Sequence, residues 1–279
     1  MGSKKPHIKE QVKVFNIDSP LLKYQKNITS QCGEDGIIEK IFEIVEPLSK
    51  VCVEFGAWDG KLFSNCNNLV TNLDWKGFFI EGDKDKYSDL VKTYKNFKKT
   101  ICINNWVEFS GNNSLDNILN SYDCPKEFDL LSIDVDGIDY FIWENLSMFE
   151  PRVIVIEFNP TIPNDVVFVQ AKDSSVNQGC SLHALIILGK EKGYELICAT
   201  NWNAIFVKAE LYEKFNIRSN HIYSLYKPLL DGRIFHGYDN EIHVIGMDIF
   251  LWSGVQINSD DFQVLPKSLR NFGKNEKRN

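Results

Sequence analysis

Long hydrophobic runs and paired cysteines are missing from this chain. No apolar stretch approaches the roughly 18 residues that a membrane-spanning helix needs, and the start MGSKKPHIKE has no apolar segment of the kind that signal peptides carry. The seven cysteines are scattered and form no C-x-x-C pair, which argues against a disulfide framework and against a zinc cluster. We therefore expect a cytoplasmic protein that has no membrane partner.

Positive charge is also scarce. The chain has 31 Lys and Arg residues against 38 Asp and Glu, which gives a formal net charge of −7. Binding to long nucleic acids depends on concentrated Lys and Arg. The best basic stretch, residues 92–99, is typical of a solvated helix face. A nucleic-acid partner is therefore not expected, and a small molecule is the expected partner.

What the chain does have is a regular alternation of strand-like and helix-like patterns. Its 279 residues are 43% hydrophobic, which is enough for a large buried core. Short apolar runs end in polar residues near positions 55, 81, 104, 133 and 157, and helical spacing such as that of residues 37–45 separates them. This alternation predicts an α/β fold with a parallel sheet and helices on both faces.

The first apolar run leads into an acidic turn with the sequence VEFGAWDG. Glu54, Gly56 and Asp59 stand where main chain would pass close to a bound nucleotide, because glycine has no Cβ in the way. The glycines are spaced G-x-x-x-G, unlike the G-x-G-x-x-G of dinucleotide sites, and the acids would repel a pyrophosphate. A cationic nucleoside such as S-adenosylmethionine suits this turn. An ordinary glycine turn after a buried strand is the alternative.

The later strand ends carry further polar side chains. Glu81 follows Gly56 by 25 positions and could accept hydrogen bonds from both ribose hydroxyls of a nucleotide. Asn105 and Trp106, after the third run, could bracket an adenine ring. The carboxyl ends of parallel strands meet at one edge of a sheet, so we expect a crevice shared with the polar residues after the fourth and fifth runs. Those residues are Asp134, Asp136, Glu157 and Asn159.

Five segments carry a family resemblance: SQCGEDG, VEFGAWDG, GFFIEGD, LLSIDVDGIDYFIWENL and PRVIVIEFN. They are similar to the class I S-adenosylmethionine-dependent methyltransferases and, within that class, to the FkbM-type O-methyltransferase branch. The resemblance covers roughly residues 30–210. It implies a Rossmann-like, seven-stranded, mostly parallel sheet with helices on both faces, closed by an antiparallel hairpin near residues 193–207.

The resemblance also divides the chain into three parts. Residues 30–212 would form the methyltransferase domain, preceded by an N-terminal extension of residues 1–29. In residues 213–279 the pattern changes to short aromatic pieces, and we expect a C-terminal appendage that covers the site or joins subunits. A homo-oligomer is therefore left open. The tail, residues 271–279, is predicted to be disordered.

Roles for individual residues follow from their chemistry and from the resemblance. By resemblance, Gln31 and Glu34 would fold over the methionine end of S-adenosylmethionine, with Glu34 or Glu54 near its amino group, and Asp134 would be a catalytic or metal-binding carboxylate. The candidates for handling the acceptor proton are Asp134, Asp136 and His183. The oxygen ligands available to Mg²⁺ or another divalent cation belong to Asp134, Glu157 and Asn159.

The resemblance implies methyl transfer to a hydroxyl of a small polar acceptor, such as a sugar nucleotide or a phosphate-linked precursor of a surface polysaccharide. Three other functions are weighed against it. A DNA amino-methyltransferase would carry an Asn/Asp-Pro-Pro-aromatic loop after the fourth strand, where this chain has DVDG. A nicotinamide-dependent oxidoreductase is disfavoured by the missing third glycine. A non-catalytic interaction protein could keep the nucleotide fold and use its C-terminal aromatic residues for binding.

Overall fold

The structure is a computed structural model, and it describes residues 19–227, 233–238, 241–245, 249–250, 255–263 and 269. The expectations for residues 1–18 and for the tail, residues 271–279, lie outside the described residues. Within the described ranges, no helix is both long enough and apolar enough to cross a membrane.

A seven-stranded sheet forms the centre of the molecule, and it confirms the predicted α/β, Rossmann-like fold. Its strands are β1 (Val51–Phe55), β2 (Lys76–Glu81), β3 (Ile101–Asn104), β4 (Glu127–Ile133), β5 (Glu150–Glu157), β6 (Tyr194–Ala199) and β7 (Asn203–Lys208). Their order is β3-β2-β1-β4-β5-β7-β6. Neighbours among β1 to β5 pair in parallel, whereas β7 is antiparallel to both β5 and β6. The predicted closing hairpin is therefore present as β6 and β7.

Helices connect the strands and cover the sheet. They are α1 (Glu34–Val45), α2 (Asn67–Leu73), α3 (Lys84–Tyr94), α4 (Leu115–Ser121), α5 (Asp139–Asn145), α6 (Leu182–Glu191) and α7 (Ile222–Leu225). Short polar residues set several of their starts, because each satisfies an N–H group that has no partner within the helix. Asp83 accepts from the main-chain N–H of Asp85 and Lys86, and Ser181 accepts from that of Ala184. Short 3₁₀ helices span Leu22–Tyr24, Gly111–Asn113, Ala209–Phe215 and Ser259–Phe262.

The core lies on both faces of the sheet. All five residues of β1 are buried, and so are all residues of β4 except the first. Strands that are covered by helices on both sides bury residues on both faces, which explains why these runs are mostly apolar and do not alternate. Among the largest fully buried side chains are Phe78, Phe79, Phe128, Trp143 and Phe206.

Beyond residue 212 the chain first packs on the sheet domain and then forms small separate sheets. Tyr226 meets Phe158, at the end of β5, edge to face with ring centroids 5.0 Å apart. Two short antiparallel pairs follow: β8 (Arg233–His236) with β9 (Ile242–Ile245), and β10 (Ile249–Phe250) with β11 (Val255–Gln256). A role of this part as a lid or as a subunit contact stays a prediction.

Candidate active site

A cleft of about 520 Å³ opens at the carboxyl ends of the parallel strands. This is where open parallel sheets bind their ligands, and the volume falls in the range of roughly 300–1,000 Å³ that small-molecule sites occupy. The sequence-predicted residues that line it are Gln31, Glu54, Gly56, Glu81, Asn105, Trp106, Asp134, Asp136 and Glu157. The structure therefore brings together the residues that follow all five parallel strands.

Four predicted site residues do not line this cleft. Glu34 is buried, and its carboxylate accepts hydrogen bonds from the Thr200 hydroxyl, the Asn203 amide and the main-chain N–H of Cys32. It ties the start of α1 to β7, so its carboxylate is directed to the protein interior and not to a ligand. Asp59 also acts locally, because one of its oxygens accepts from the main-chain N–H of Lys61 and of Leu62 and so closes a turn.

The other two lie after β5. The Asn159 side-chain oxygen accepts from the main chain and hydroxyl of Thr161, and its amide donates to the Gln178 carbonyl. That oxygen is thus already engaged by the loop, and Asn159 is not among the residues that line the cleft. His183 is the second residue of α6 and is not among the cleft residues, although its Nδ1 has no hydrogen-bond partner among the described residues.

The turn after β1 owes its shape to contact with β4. Gly56 has φ +70°, and a Cβ at this position would lie 1.7 Å from the carbonyl oxygen of Asp134. The glycine therefore serves a close contact within the protein, which the sequence did not predict. It permits two stretches of protein main chain to touch, and in doing so it places Asp134 beside the β1 turn.

Glu54 is the buried acid at the base of the cleft. Its carboxylate accepts from the Ser64 hydroxyl and from the main-chain N–H of Asn65, 2.8 Å away. Burial raises the pKa of Glu54 to about 7, against the opposing effect of the hydrogen bonds from Ser64, Asn65 and Ser132. The ionised form of a buried carboxylate is stabilised by any positive charge that a ligand brings next to it.

Glu81 is held rigidly at the end of β2. One of its oxygens accepts from the Trp58 main-chain N–H and the other from that of Asp83, each at 2.8 Å. The carboxylate thus joins the β1 turn to the loop before α3. Each oxygen keeps a further lone pair, so a ligand hydroxyl can still donate to it.

An aromatic wall stands next to Glu81. Trp106 packs across Gly82, where a Cβ would lie 2.2 Å from the indole ring. Nearly two thirds of Trp106 is exposed, so the rest of the side chain is available to a flat ligand. The Lys86 ammonium lies 4.0 Å from the centre of the Trp58 ring, and both residues also line the cleft.

Three carboxylates meet at the ends of β4 and β5. Parallel pairing of Ile133 with Ile156 places the next residues, Asp134 and Glu157, side by side. Oxygens of these two and of Asp136 lie within 4.8 Å of one another. Burial first, and then the neighbouring carboxylates, raise the pKa values of Asp134 and Glu157, which share a hydrogen bond. The local loop is fixed by Asp139, which accepts from the main-chain N–H of residues 135 and 137.

Several cleft residues were missed from the sequence. They include Ser64, Asn65, Lys86, Ser132, Ser174, Asn177 and Trp202. Ser132 had a usable signal, because it is a polar residue between the apolar Leu131 and Ile133 of β4, two residues before Asp134. Ser174 and Asn177 had none. They reach the cleft on the long loop between β5 and α6, which Gln170 stabilises by accepting from the main-chain N–H of residues 178 and 179.

The cleft is strongly acidic. Its acids are Glu54, Glu81, Glu108, Asp134, Asp136 and Glu157, and Lys86 is the single basic side chain among the described residues that line it. Such a surface attracts cationic ligands and opposes unscreened phosphate groups.

No protein-family model matches this sequence, and no curated protein is detectably similar to it. Similar solved structures include the N-terminal domain of EvdMO1 in the presence of SAH and D-fucose, with 10% identity, a TM-score of 0.41, and coverage of 63% of this chain and 82% of that one. TrmK of M. capricolum with S-adenosyl-homocysteine has 13% identity and a TM-score of 0.39, and the match covers 61% of this chain and 67% of that one. A SAM dependent methyltransferase from Aquifex aeolicus has 9% identity and a TM-score of 0.37, and the match covers 61% of this chain and 87% of that one. Similarities of this size carry no inference about the activity of this chain.

Proposed function

We propose that this chain is an S-adenosylmethionine-dependent methyltransferase of the FkbM type. The observation that carries the proposal is that Gly56, Glu81 and Asp134, from three different strand ends, share one acidic cleft. Had these residues faced different sides of the molecule, there would be no common site for a nucleoside. The resemblance of the strand-end segments to class I methyltransferases supports the same conclusion.

In this proposal the cofactor lies along the ends of β2, β1 and β4. Glu81 accepts hydrogen bonds from the ribose hydroxyls, for which its rigidly held oxygens are suited. Trp106 and Asn105 contact the adenine ring. Glu54 lies near the cationic methionine end, where a positive charge offsets the cost of ionising a buried carboxylate.

We propose an oxygen atom as the methyl acceptor, with Asp134 and Asp136 next to it. Methyl transfer is an in-line displacement, so the protein's tasks are to align the acceptor with the methyl group and to take up the acceptor proton. Asp134 is suited to proton uptake, because burial and its acidic neighbours raise its pKa and make its carboxylate a stronger base. His183, which does not line the cleft, is not part of this proposal.

A divalent cation is a second element of the proposal. The carboxylate oxygens of Asp134, Asp136 and Glu157 form the all-oxygen donor set that Mg²⁺ prefers. When bound, such an ion would lower the pKa of an acceptor hydroxyl. It would also screen the cleft acids from a phosphate group, which a sugar nucleotide or a phosphate-linked polysaccharide precursor brings with it. A cytoplasmic location and a homo-oligomeric state remain predictions.

The test has two stages. Calorimetry with S-adenosylmethionine and S-adenosylhomocysteine comes first, with reduced nicotinamide cofactor as the comparison, and we expect binding of the first two only. The protein is then incubated with methyl-labelled S-adenosylmethionine and a metabolite extract, with and without a chelator. Label transferred to a small polar product, lost in Asp134→Asn but with cofactor binding retained, supports the proposal. A folded protein that binds neither sulfur nucleoside would instead favour an oxidoreductase or an interaction protein.

A further inference from the structure

Asn65 is a buried polar residue in the wall of the cleft. Only 4% of it is exposed, although it is among the residues that line the cavity. Its main-chain N–H donates to Glu54, and its side-chain Nδ2 donates to the Ser132 hydroxyl at 3.1 Å. The residue therefore sits directly between the buried acid of β1 and the polar residue of β4.

The hydrogen bonds of Ser132 determine which way the Asn65 amide points. A serine hydroxyl has a single proton, and Ser132, which is paired with Glu54 across the two strands, acts to lower the Glu54 pKa, as a proton directed to that carboxylate does. Ser132 must then accept from its other neighbour, so the Asn65 nitrogen faces it. The Asn65 oxygen, Oδ1, lies on the opposite side of the amide and accepts no hydrogen bond from any described residue.

A buried acceptor without a donor is costly, by about 1–3 kcal/mol, and native proteins rarely keep one that serves no purpose. Asn65 also donates its main-chain N–H to Glu54, a second acceptor, which favours a positively charged neighbour. Both residues line the cleft, and two acceptors there, one of them a carboxylate, match a primary ammonium group, which offers three N–H donors. Oδ1 itself is buried in the ligand-free protein. The terminal torsion of an asparagine is soft, so a small rotation can direct Oδ1 to such a group.

We propose that Asn65 binds the α-ammonium group of S-adenosylmethionine through Oδ1, together with the Glu54 carboxylate. This inference rests on the proposed function, since it concerns the same cofactor site. Asn65 acts as a positioning residue, because fixing the amino end of the cofactor fixes the direction of the sulfonium methyl group.

The experiment is a thermodynamic cycle measured by calorimetry. One axis compares S-adenosylhomocysteine with an analogue that lacks only the α-amino group, and the other compares the wild type with Asn65→Ala. We expect the wild type to bind S-adenosylhomocysteine at least tenfold more tightly than the analogue. In Asn65→Ala that preference should shrink by about tenfold, the usual value of one hydrogen bond to a charged group. Asn65→Ser serves the same purpose should the alanine variant not fold.

Asn68→Ala is the matched control. Asn68 is equally buried in the next turn of chain, but its amide donates to Glu39 and it does not line the cleft. Its substitution should leave the preference for the amino group unchanged. Two results would overturn the role of Asn65 while leaving the proposed function intact. The wild type could bind S-adenosylhomocysteine and the analogue equally tightly, or Asn65→Ala could lose affinity for both ligands by the same factor. A wild type that binds neither ligand would overturn both.

Discussion

Gly56 and Asp134 are in direct main-chain contact, since a Cβ on Gly56 would lie 1.7 Å from the Asp134 carbonyl oxygen. This contact joins the end of β1 to the end of β4. In the proposed function it also joins the two halves of the site, because the cofactor lies on the β1 turn and the acceptor lies next to Asp134. No side chain can be added at Gly56 without moving one half away from the other.

Gly56→Ala should therefore destabilise the fold and disrupt the site together. A left-handed backbone costs about 1–2 kcal/mol for alanine, and the clash adds about 1–3 kcal/mol. Gly111→Ala is the control, because Gly111 also has a positive φ, +78°, but nothing within 4 Å of the added Cβ. Denaturant unfolding should show a loss clearly larger for Gly56→Ala, and calorimetry should show weaker S-adenosylhomocysteine binding in that variant alone. Equal losses in the two variants would mean that the contact with Asp134 is unimportant.

Glu54 should make the stability of the ligand-free protein depend on pH. Burial raises its pKa from an ordinary 4.5 to about 7. The folded protein then holds this proton more tightly than the unfolded chain does. The resulting stabilisation is complete at pH values below the pKa that Glu54 has in the unfolded chain. It is lost as the pH rises through the pKa that Glu54 has in the folded protein.

A shift of this size corresponds to about 3 kcal/mol. The measurement is the free energy of unfolding of the wild type and of Glu54→Gln between pH 4.5 and pH 8. Glutamine does not titrate, so the stability of the wild type relative to the variant should fall by about 3 kcal/mol across this range. Parallel curves for the two proteins would show that Glu54 is not the titrating group.

The strands and the common cleft were predictable because they depend on local patterns. Runs such as residues 51–55 and 128–133 are mostly apolar and are buried along their whole length, as strands covered on both faces are, and parallel strands bring their carboxyl ends to one edge. Any polar residue at such an end, Glu81 for example, was therefore expected in the cleft. The closing hairpin came from the family resemblance.

What failed was the direction of individual side chains. Glu34 has the right chemistry and lies near the right edge, but Thr200 and Asn203 engage its carboxylate. These partners are more than 160 residues away, so no local pattern could reveal them. Asn159 differs, because its oxygen accepts from Thr161, two residues later, and its amide nitrogen donates to Gln178. Asn65 was missed for the related reason that its neighbours, Glu54 and Ser132, come from two different strands.

Glu157 should lower the stability of the ligand-free folded protein at neutral pH. Its pKa is raised by burial and by the carboxylate of Asp134, which means that ionising it opposes folding at neutral pH. Glu157→Gln should therefore raise the free energy of unfolding at pH 8 relative to the wild type, because glutamine is neutral in both the folded and the unfolded state, and abolish methyl transfer. Thermal unfolding of the ligand-free protein measures the first effect and labelled methyl transfer the second.

Asp116→Asn is the control for this prediction. Asp116 is also a buried acid, but it accepts hydrogen bonds from the main chain and hydroxyl of Ser147 and from the main chain of Met148. Asp116→Asn should lower the stability, because the amide cannot accept all of the hydrogen bonds that the carboxylate accepts. A loss of stability in Glu157→Gln would indicate that Glu157 has a structural role like that of Asp116.

Glu81→Ala should weaken binding of S-adenosylhomocysteine by about 1–3 kcal/mol, the value of hydrogen bonds to a charged group. Part of that loss could come from the two main-chain N–H groups that Glu81 holds, of Trp58 and Asp83, so a ligand comparison is needed. An analogue without the ribose 2′ and 3′ hydroxyls should bind the wild type and Glu81→Ala with nearly the same affinity if Glu81 acts through those hydroxyls. If the analogue loses as much affinity on substitution as the full ligand does, Glu81 acts by shaping the loops.

Glu108→Ala is the control, because it removes another acid from the cleft wall. It should change the affinity for neither ligand by more than a few-fold. A loss equal to that of Glu81→Ala would mean that the charge of the cleft, and not a specific contact, holds the cofactor.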